Sequence, residues 1–207
     1  LLSMRIDEGK EVRELRPLAD IVVRGTDDLA AKMIQIFDAL ILSNHWRSMD
    51  KKPVEIRELT RKALETFLAQ GDGNRIATRG LSANLPDLVV IGDREQLETV
   101  VVNLVSNGLK YSMGQGIVRV TVSPTEGGAR ISVCDRGIGV PDAERSSIFD
   151  GFSRGGNLEG RDPGGLGLGL YVSAMIVRQH GGKIWAESDV QTGTHFHVEL
   201  PINPVVV

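Results

Sequence analysis

The 207-residue sequence has a single cysteine, almost balanced charge and no long apolar run, and each of these limits the class of protein it can be. The single cysteine, Cys134, cannot form an internal disulfide, which fits a reducing compartment. The formal net charge of −3 offers no basic field for a nucleic acid partner. No apolar run approaches the roughly 18 residues of a membrane-spanning helix, so any membrane segment would have to precede Leu1.

Glycine is scarce in the first seventy residues and abundant afterwards. The chain has 24 glycines in 207 residues, about 12%, compared with an average of about 7%. Only Gly9 and Gly25 fall in the first seventy positions, whereas eight glycines fall between Gly151 and Gly169. A local surplus of glycine indicates backbone that bends sharply or approaches a ligand closely.

The glycine-poor beginning of the chain has the pattern of a long helix. Pro17 suits the first position of a helix, and apolar residues follow at steps of three and four, which approximates a heptad repeat over about thirty residues. Such a stripe is usually buried in a bundle, often with another chain. We therefore predict a helical dimerisation segment over residues 1–50, in which Gly25 leaves open a break into two helices.

From Pro53 onwards the pattern becomes mixed, and we predict a second domain over residues 53–204. Its strands come in hairpin-like pairs, which argues against a parallel Rossmann sheet. The predicted strands are Lys52–Ile56, Arg75–Leu81, Leu88–Ile91, Ile117–Ser123, Ala129–Cys134, Lys183–Ser188 and Thr194–Pro201. The predicted helices are Arg57–Gln70, with Leu68 among its inner residues, a helix from the Asp93 cap to about Lys110, a short one at Asp142–Phe149, and Gly167–His180.

The first motif that carries chemistry lies on the helix after Asp93. Asn103, Asn107 and Lys110 are spaced so that two amides and an ammonium share one face. Amide oxygens are hard ligands that suit Mg²⁺, and an ammonium suits a phosphate. The same spacing is also compatible with an ordinary polar face opposite a stripe of valines.

Two further motifs follow. Asp135-Arg-Gly137-Ile-Gly139 ends an apolar strand, where a carboxylate can accept from a nucleobase amino group, although the string also fits an everyday turn. The run from Gly164 to Leu170 opens a helix, whose unpaired N–H groups and positive dipole end suit a phosphate. The polar stretch Ser153–Pro163 before it has the composition of a mobile lid, or of a flexible loop without a ligand.

As an ordered set, these motifs resemble the ATP-binding domain shared by sensor histidine kinases, gyrase, the 90-kDa heat-shock chaperone and the mismatch-repair ATPases. Three strings resemble the histidine kinase branch: Asn103-Leu-Val-Ser-Asn107-Gly-Leu-Lys110-Tyr111-Ser112, the phenylalanine box from Phe149 to Gly155, and the closing segments from His180 and Gly193. The resemblance implies an α+β fold, a two-layer α/β sandwich with a mixed, mainly antiparallel sheet of the Bergerat type. The helical dimerisation segment precedes it.

The resemblance also implies residue roles. Asn107, with Asn103 beside it, would hold Mg²⁺, Lys110 would contact phosphates and Tyr111 would flank the nucleotide. Asp135 would accept from the adenine amino group, with Gly137 and Gly139 against the ring and Thr194 supporting the pocket. Arg136 stands where the family often has Asn, and we expect it to face solvent. The phosphate-binding residues would be Arg154, Gly165, Leu166, Gly167, Leu168 and Gly169.

Position 103 favours phosphoryl transfer over hydrolysis. The hydrolysing relatives place a glutamate there as a general base, whereas an amide cannot take a proton at neutral pH. A histidine kinase needs an acceptor histidine, and the four here are His45, His180, His195 and His197. His180 has the position of a helix C-terminal residue favoured by the dipole, and His195 and His197 that of strand-surface residues. His45 lacks the continuation that follows the family's acceptor, so we expect the acceptor upstream of Leu1.

The sequence thus predicts the ATP-binding catalytic portion of a sensor histidine kinase, with ATP and Mg²⁺ as cofactors. Residues Asn103 and Lys110 would act in catalysis. The expected partners are a second copy through the N-terminal helices and a response regulator, which takes the phosphoryl onto an aspartate. The expected location is the cytoplasm, as a free protein or as part of a membrane sensor. A nucleotide-binding scaffold without transfer and an anti-sigma-factor type of serine kinase are the alternatives, and the heptad helix counts against the latter.

Overall fold

The computed structural model describes residues 49–112, 116–151, 153, 167–189 and 193–202. These ranges contain three helices, α1 (Ile56–Ala69), α2 (Arg94–Tyr111) and α3 (Gly169–Gln179). They also contain seven strands: β1 (Lys52–Glu55), β2 (Ile76–Arg79), β3 (Val89–Gly92), β4 (Val118–Thr125), β5 (Gly128–Cys134), β6 (Lys183–Asp189) and β7 (Gly193–Pro201). The predicted dimerisation segment lies outside the described residues except for its last two positions.

Five strands form one sheet in the order β2-β4-β5-β7-β6. Strand β2 runs parallel to β4, and every other neighbouring pair in this sheet is antiparallel. Strands β1 and β3 form a separate antiparallel ladder. This mixed, mainly antiparallel arrangement confirms the predicted fold class. Over the described ranges, no helix combines the length and the apolar character that crossing a bilayer requires.

The sheet buries one face against the helices because its strands alternate apolar and polar residues. Helix α2 lies between α1 and α3 and contacts β4 and β5. The strand residues on the face that packs against the helices are almost fully buried: Val118, Val120 and Val122 of β4, Ala129, Ile131 and Val133 of β5, and Phe196, Val198 and Leu200 of β7. The predicted α2 stripe of Leu97, Val100, Val101, Leu104 and Val105 meets them and is equally buried.

Helix α2 begins where the sequence predicts. Asp93 is its N-cap, in extended backbone, and its Oδ1 accepts the N–H of Gln96 at 3.2 Å. The carboxylate therefore satisfies one of the otherwise unpaired donors of the first turn.

Two local predictions are wrong. Leu68 of α1 is 63% exposed rather than on the inner face. The helix ends one residue later, and the chain reverses at Gly71, whose φ is +88°. Leu68, the last apolar residue of the predicted inner face, therefore lies beyond the edge of the core. The predicted short helix after Pro141 is instead two 3₁₀ turns, Asp142–Glu144 and Ser147–Phe149. A segment this short gains little from helical hydrogen bonds, and the burial of Phe149 anchors it.

A buried arginine fastens the loop after β2 to α1. The Arg57 side chain is 6% exposed, and its guanidinium donates to the carbonyl oxygens of Gly80, at 2.9 Å, and Pro86. We expect Arg57→Ala to lower the free energy of unfolding by about 1–3 kcal/mol, because two carbonyls lose their donor. Chemical denaturation measures this free energy, and Arg61→Ala, at an exposed position of the same helix, is the control. Equal effects of both substitutions would contradict this role.

Candidate nucleotide-binding site

Helix α2 presents the first predicted motif. Asn103, Asn107 and Lys110 all lie on this helix, and each is half-buried. The Lys110 ammonium lies 5.3 Å from the centre of the Tyr111 ring, within the range of a cation–π contact. This end of α2 therefore combines an aromatic ring with a cation.

Asn103 joins α2 to the beginning of α3. Its Nδ2 donates to the carbonyl oxygen of Gly169 at 3.2 Å and to Ser173 Oγ at 3.4 Å. Ser173 Oγ in turn donates to the same carbonyl at 2.8 Å. The first and third predicted motifs, 66 positions apart, are thus in direct contact.

The C-terminal end of α2 contacts the second motif. Ser112, which follows the helix, forms an isolated antiparallel bridge with Gly137. A Cβ atom at position 137 would lie 2.3 Å from the carbonyl oxygen of Tyr111, so only glycine fits beside this backbone. The three predicted motifs therefore converge around α2. The end of α2 is what leaves no room for a side chain at Gly137.

Asp135 is the buried carboxylate of the site. Asp135 is 3% exposed, and its Oδ1 accepts hydrogen bonds from the N–H groups of Gly137 at 2.8 Å and Thr194 at 3.3 Å. Its own N–H donates to the Thr194 carbonyl at 2.9 Å. Burial raises the pKa of Asp135, and the two N–H donors partly oppose that rise. Both of these contacts use Oδ1. The neighbouring Arg136 is exposed, as expected.

Sequence reasoning missed two residues that hold this pocket together. Ser188 Oγ accepts the N–H of Val140 at 2.7 Å and lies 3.1 Å from Thr194 Oγ1, so it ties the loop after Asp135 to β6 and β7. Gly193 has a φ of +97°, and a Cβ there would lie 2.2 Å from the carbonyl oxygen of Asp135. The only sequence signal was their place in the closing segments of the family pattern.

The glycine-rich segments bend where predicted. Gly139 has a φ of +68° and Gly167 a φ of +69°, a region that favours glycine. Leu168, which is buried, precedes the first turn of α3 and makes no side-chain capping hydrogen bond. The N–H groups at the start of this helix therefore have no side-chain cap, and such groups are favourable partners for a phosphate. The predicted ligands Arg154, Gly165 and Leu166 lie outside the described residues.

The candidate metal ligands on α2 are the amide oxygens of Asn103 and Asn107. Within the described ranges, no group of three or more His, Cys, Asp or Glu residues could hold a metal ion. Neutral amide oxygens such as those of Asn103 and Asn107 are among the donor types that Mg²⁺ accepts beside nucleotide phosphates.

The α/β sandwich thus brings together a buried carboxylate beside two strand ends, a polar face on α2 and a glycine-bounded helix start. The family described as Histidine kinase-, DNA gyrase B-, and HSP90-like ATPase matches residues 92–204, just over half of the chain. The chain therefore belongs to this family, and its ATP-binding domain is of the sensor histidine kinase type.

Individual relatives agree with this assignment. The chain is 30% identical to the alginate biosynthesis sensor protein KinB of Pseudomonas aeruginosa over 206 residues, which cover 98% of this chain and 33% of that protein. The mycobacterial sensor histidine kinase MprB superimposes with a TM-score of 0.61 at 28% identity, covering 75% of this chain and 99% of that one. Full-length ShkA, solved in complex with AMPPNP, gives a TM-score of 0.73 at 25% identity and covers 91% of this chain and 39% of that one. The chain spans about a third of the length of the curated relatives it matches.

Proposed function

We propose that this chain binds ATP and Mg²⁺ between α2, the start of α3 and the ends of β5 and β7. From there it would transfer the γ-phosphoryl group to a histidine. The observation that carries the proposal is the convergence of the three motifs: Asn103 on Gly169, Ser112 on Gly137, and Asp135 on Thr194. The binding of AMPPNP by ShkA supports the choice of nucleotide.

The adenine would be recognised by Asp135. Since Gly137 and Thr194 donate to its Oδ1, the other carboxylate oxygen would accept from the adenine amino group. Gly139 and the buried Thr194 would shape the walls around the ring. The phosphates would lie towards Lys110 and the N–H groups at the start of α3, whose dipole favours negative charge.

In the transfer step, an imidazole nitrogen of the acceptor would attack the γ-phosphorus. A nitrogen–phosphorus bond would form, the bond to the β–γ bridging oxygen would break, and ADP would leave. Mg²⁺ would supply positive charge to the phosphate oxygens. Asn103 cannot act as a base towards water, and its amide N–H₂ is already engaged by Gly169 and Ser173. The described residues of this site would thus align and stabilise the phosphates, and Asn103 would not activate water.

The partners and location are also part of the proposal. We expect residues 1–50 to pair with those of a second copy and the acceptor histidine to lie in the same helical part of the protein. A response regulator would then receive the phosphoryl group on an aspartate, breaking the nitrogen–phosphorus bond. The domain would work in the cytoplasm, where ATP is present.

The Mg²⁺ assignment predicts a specific loss in Asn107→Ala. We expect Mg²⁺ to strengthen ATP binding by the original protein about tenfold or more, and the variant to lose most of that gain, because one neutral oxygen ligand is missing. Isothermal titration with ATP, with Mg²⁺ and with EDTA, measures both affinities. Ser106→Ala, an exposed neighbour on α2, is the matched control. An unchanged Mg²⁺ effect in Asn107→Ala would contradict the assignment.

The transfer itself is tested in the full-length protein that carries this chain. Incubation with γ-labelled ATP should give an acid-labile, base-stable label, as phosphohistidine does, and Asp135→Asn should abolish it. ATP binding without any label would instead identify a nucleotide-binding scaffold.

A further inference from the structure

A buried histidine connects the far end of α3 to the beginning of α2. His180, which caps α3, is 6% exposed. Its Nδ1 lies 2.8 Å from the Ile176 carbonyl and donates to it, while Nε2 accepts the N–H of Asp93 at 2.9 Å. A Cβ at Gly92 would lie 2.7 Å from the imidazole ring, so the backbone approaches it closely. Both ring nitrogens are therefore used, and the imidazole is neutral.

The segment that leads into the domain, residues 49–51, attaches at the same place. The N–H of Asp50 donates to Asp93 Oδ2 at 3.2 Å. The ammonium of Lys51 donates to the carbonyl oxygen of Gln179, the last residue of α3, at 3.4 Å. The connecting segment therefore contacts both the N-cap of α2 and the last residue of α3.

The other end of α3 lies in the nucleotide site. The helix has 11 residues and so spans about 16 Å, from Gly169, which contacts Asn103, to His180 at its end. Helix α2 starts at the His180–Asp93 bond and carries Asn103 three turns further on. The two helices are thus fixed to each other at two points, one in the site and one at His180.

We propose that His180 is a positioning residue for the nucleotide site: as a neutral imidazole it fixes α3 against α2 and the connecting segment, and thereby sets the place of Gly167–Gly169 relative to Asn103. This inference rests on the proposed nucleotide-binding function and adds a residue outside the site that influences it. Any change at the connecting segment would reach the phosphates through α3.

Protonation should release this contact. A proton on Nε2 would face the Asp93 N–H and remove the acceptor. Burial lowers the pKa of His180, and Lys51 on the connecting segment lowers it further, whereas the Ile176 carbonyl and the Asp93 carboxylate at the start of α2 raise it. Because the folded-state pKa lies below the unfolded value of about 6.5, the stabilising contribution is complete above that value and is lost as the pH falls towards the folded pKa.

Linkage gives a test that a purely structural histidine would not satisfy. If nucleotide binding requires the neutral imidazole and its hydrogen bond from Asp93, bound nucleotide must lower the pKa of His180 further. In NMR titrations of the imidazole Cε1–H of the 207-residue chain, with and without saturating AMPPNP and Mg²⁺, we expect a decrease of about half a unit, equivalent to about threefold in affinity. The His180→Gln variant assigns the resonance.

Two variants separate positioning from folding. His180→Phe keeps a ring but no acceptor, and we expect it to weaken AMPPNP binding about tenfold at a temperature where it is fully folded. His180→Gln can still accept from Asp93 and should recover much of that loss, without the pH dependence below 6.5. An unchanged His180 pKa, or a His180→Phe variant that is less stable yet binds with the original affinity, would overturn the inference alone. Failure of the original protein to bind AMPPNP would overturn the proposed function with it.

Discussion

Asp135→Asn should remove most of the ATP affinity while leaving the domain folded. The amide oxygen of the variant must accept from Gly137 and Thr194, as Oδ1 of the carboxylate does now. Its N–H₂ would then face the adenine amino group, donor against donor. Loss of a charge-assisted hydrogen bond and the unpaired donor together cost about 2–4 kcal/mol, or about 30- to 1,000-fold in affinity. Isothermal titration with ATP and Mg²⁺ measures the loss.

The same substitution should not destabilise the protein without ligand. Burial raises the pKa of Asp135 in the folded state, so the ionised form at neutral pH costs stability relative to acid pH. An amide of the same shape avoids that cost. We therefore expect an equal or higher melting temperature for Asp135→Asn. Asp142→Asn, which removes an 87% exposed carboxylate, is the charge-matched control and should bind ATP normally. Retained ATP affinity in Asp135→Asn would show that the site is wrongly placed.

Gly137→Ala should lower both the stability of the domain and its affinity for nucleotide. The added methyl would lie 2.3 Å from the Tyr111 carbonyl oxygen and 2.8 Å from its carbonyl carbon, and neither backbone atom can move without displacing the end of α2. We expect the free energy of unfolding to fall by about 2–4 kcal/mol. Urea denaturation measures this change. Nucleotide titration of the remaining folded protein should show weaker binding, because Tyr111 and Asp135 are both displaced.

Gly127→Ala is the matched control for this substitution. Gly127 lies in the turn between β4 and β5, and a Cβ there would have no atom within 4 Å. Its replacement should change the free energy of unfolding by less than about 0.5 kcal/mol. Equal losses in the two variants would mean that glycine is needed only for backbone freedom. The close approach of α2 to Gly137 would then be unimportant.

Much of the fold follows from local patterns in the sequence. The Asp93 cap, the apolar stripe of α2 and the alternation of β4, β5 and β7 all appear where periodicity predicts them. Where the predictions fail, at Leu68 and after Pro141, the local pattern is real but the element ends early or is too short to form a helix. The candidate site residues were predicted by their resemblance to a family, and their roles towards ATP stay predictions.

The sequence by itself determined the elements, the ordered motifs and the class of protein, because these depend on spacings of a few residues. Only the tertiary structure decided which atoms meet. Thr194 reaches Asp135 across 59 positions, Asn103 reaches Gly169 across 66 and His180 reaches Asp93 across 87. The sequence correctly placed His180 at a helix end but gave the wrong reason. A charge favoured by the dipole was expected, whereas burial and two hydrogen bonds keep the ring neutral. Contacts between distant segments depend on how the helices pack on the sheet, and no short spacing encodes that packing.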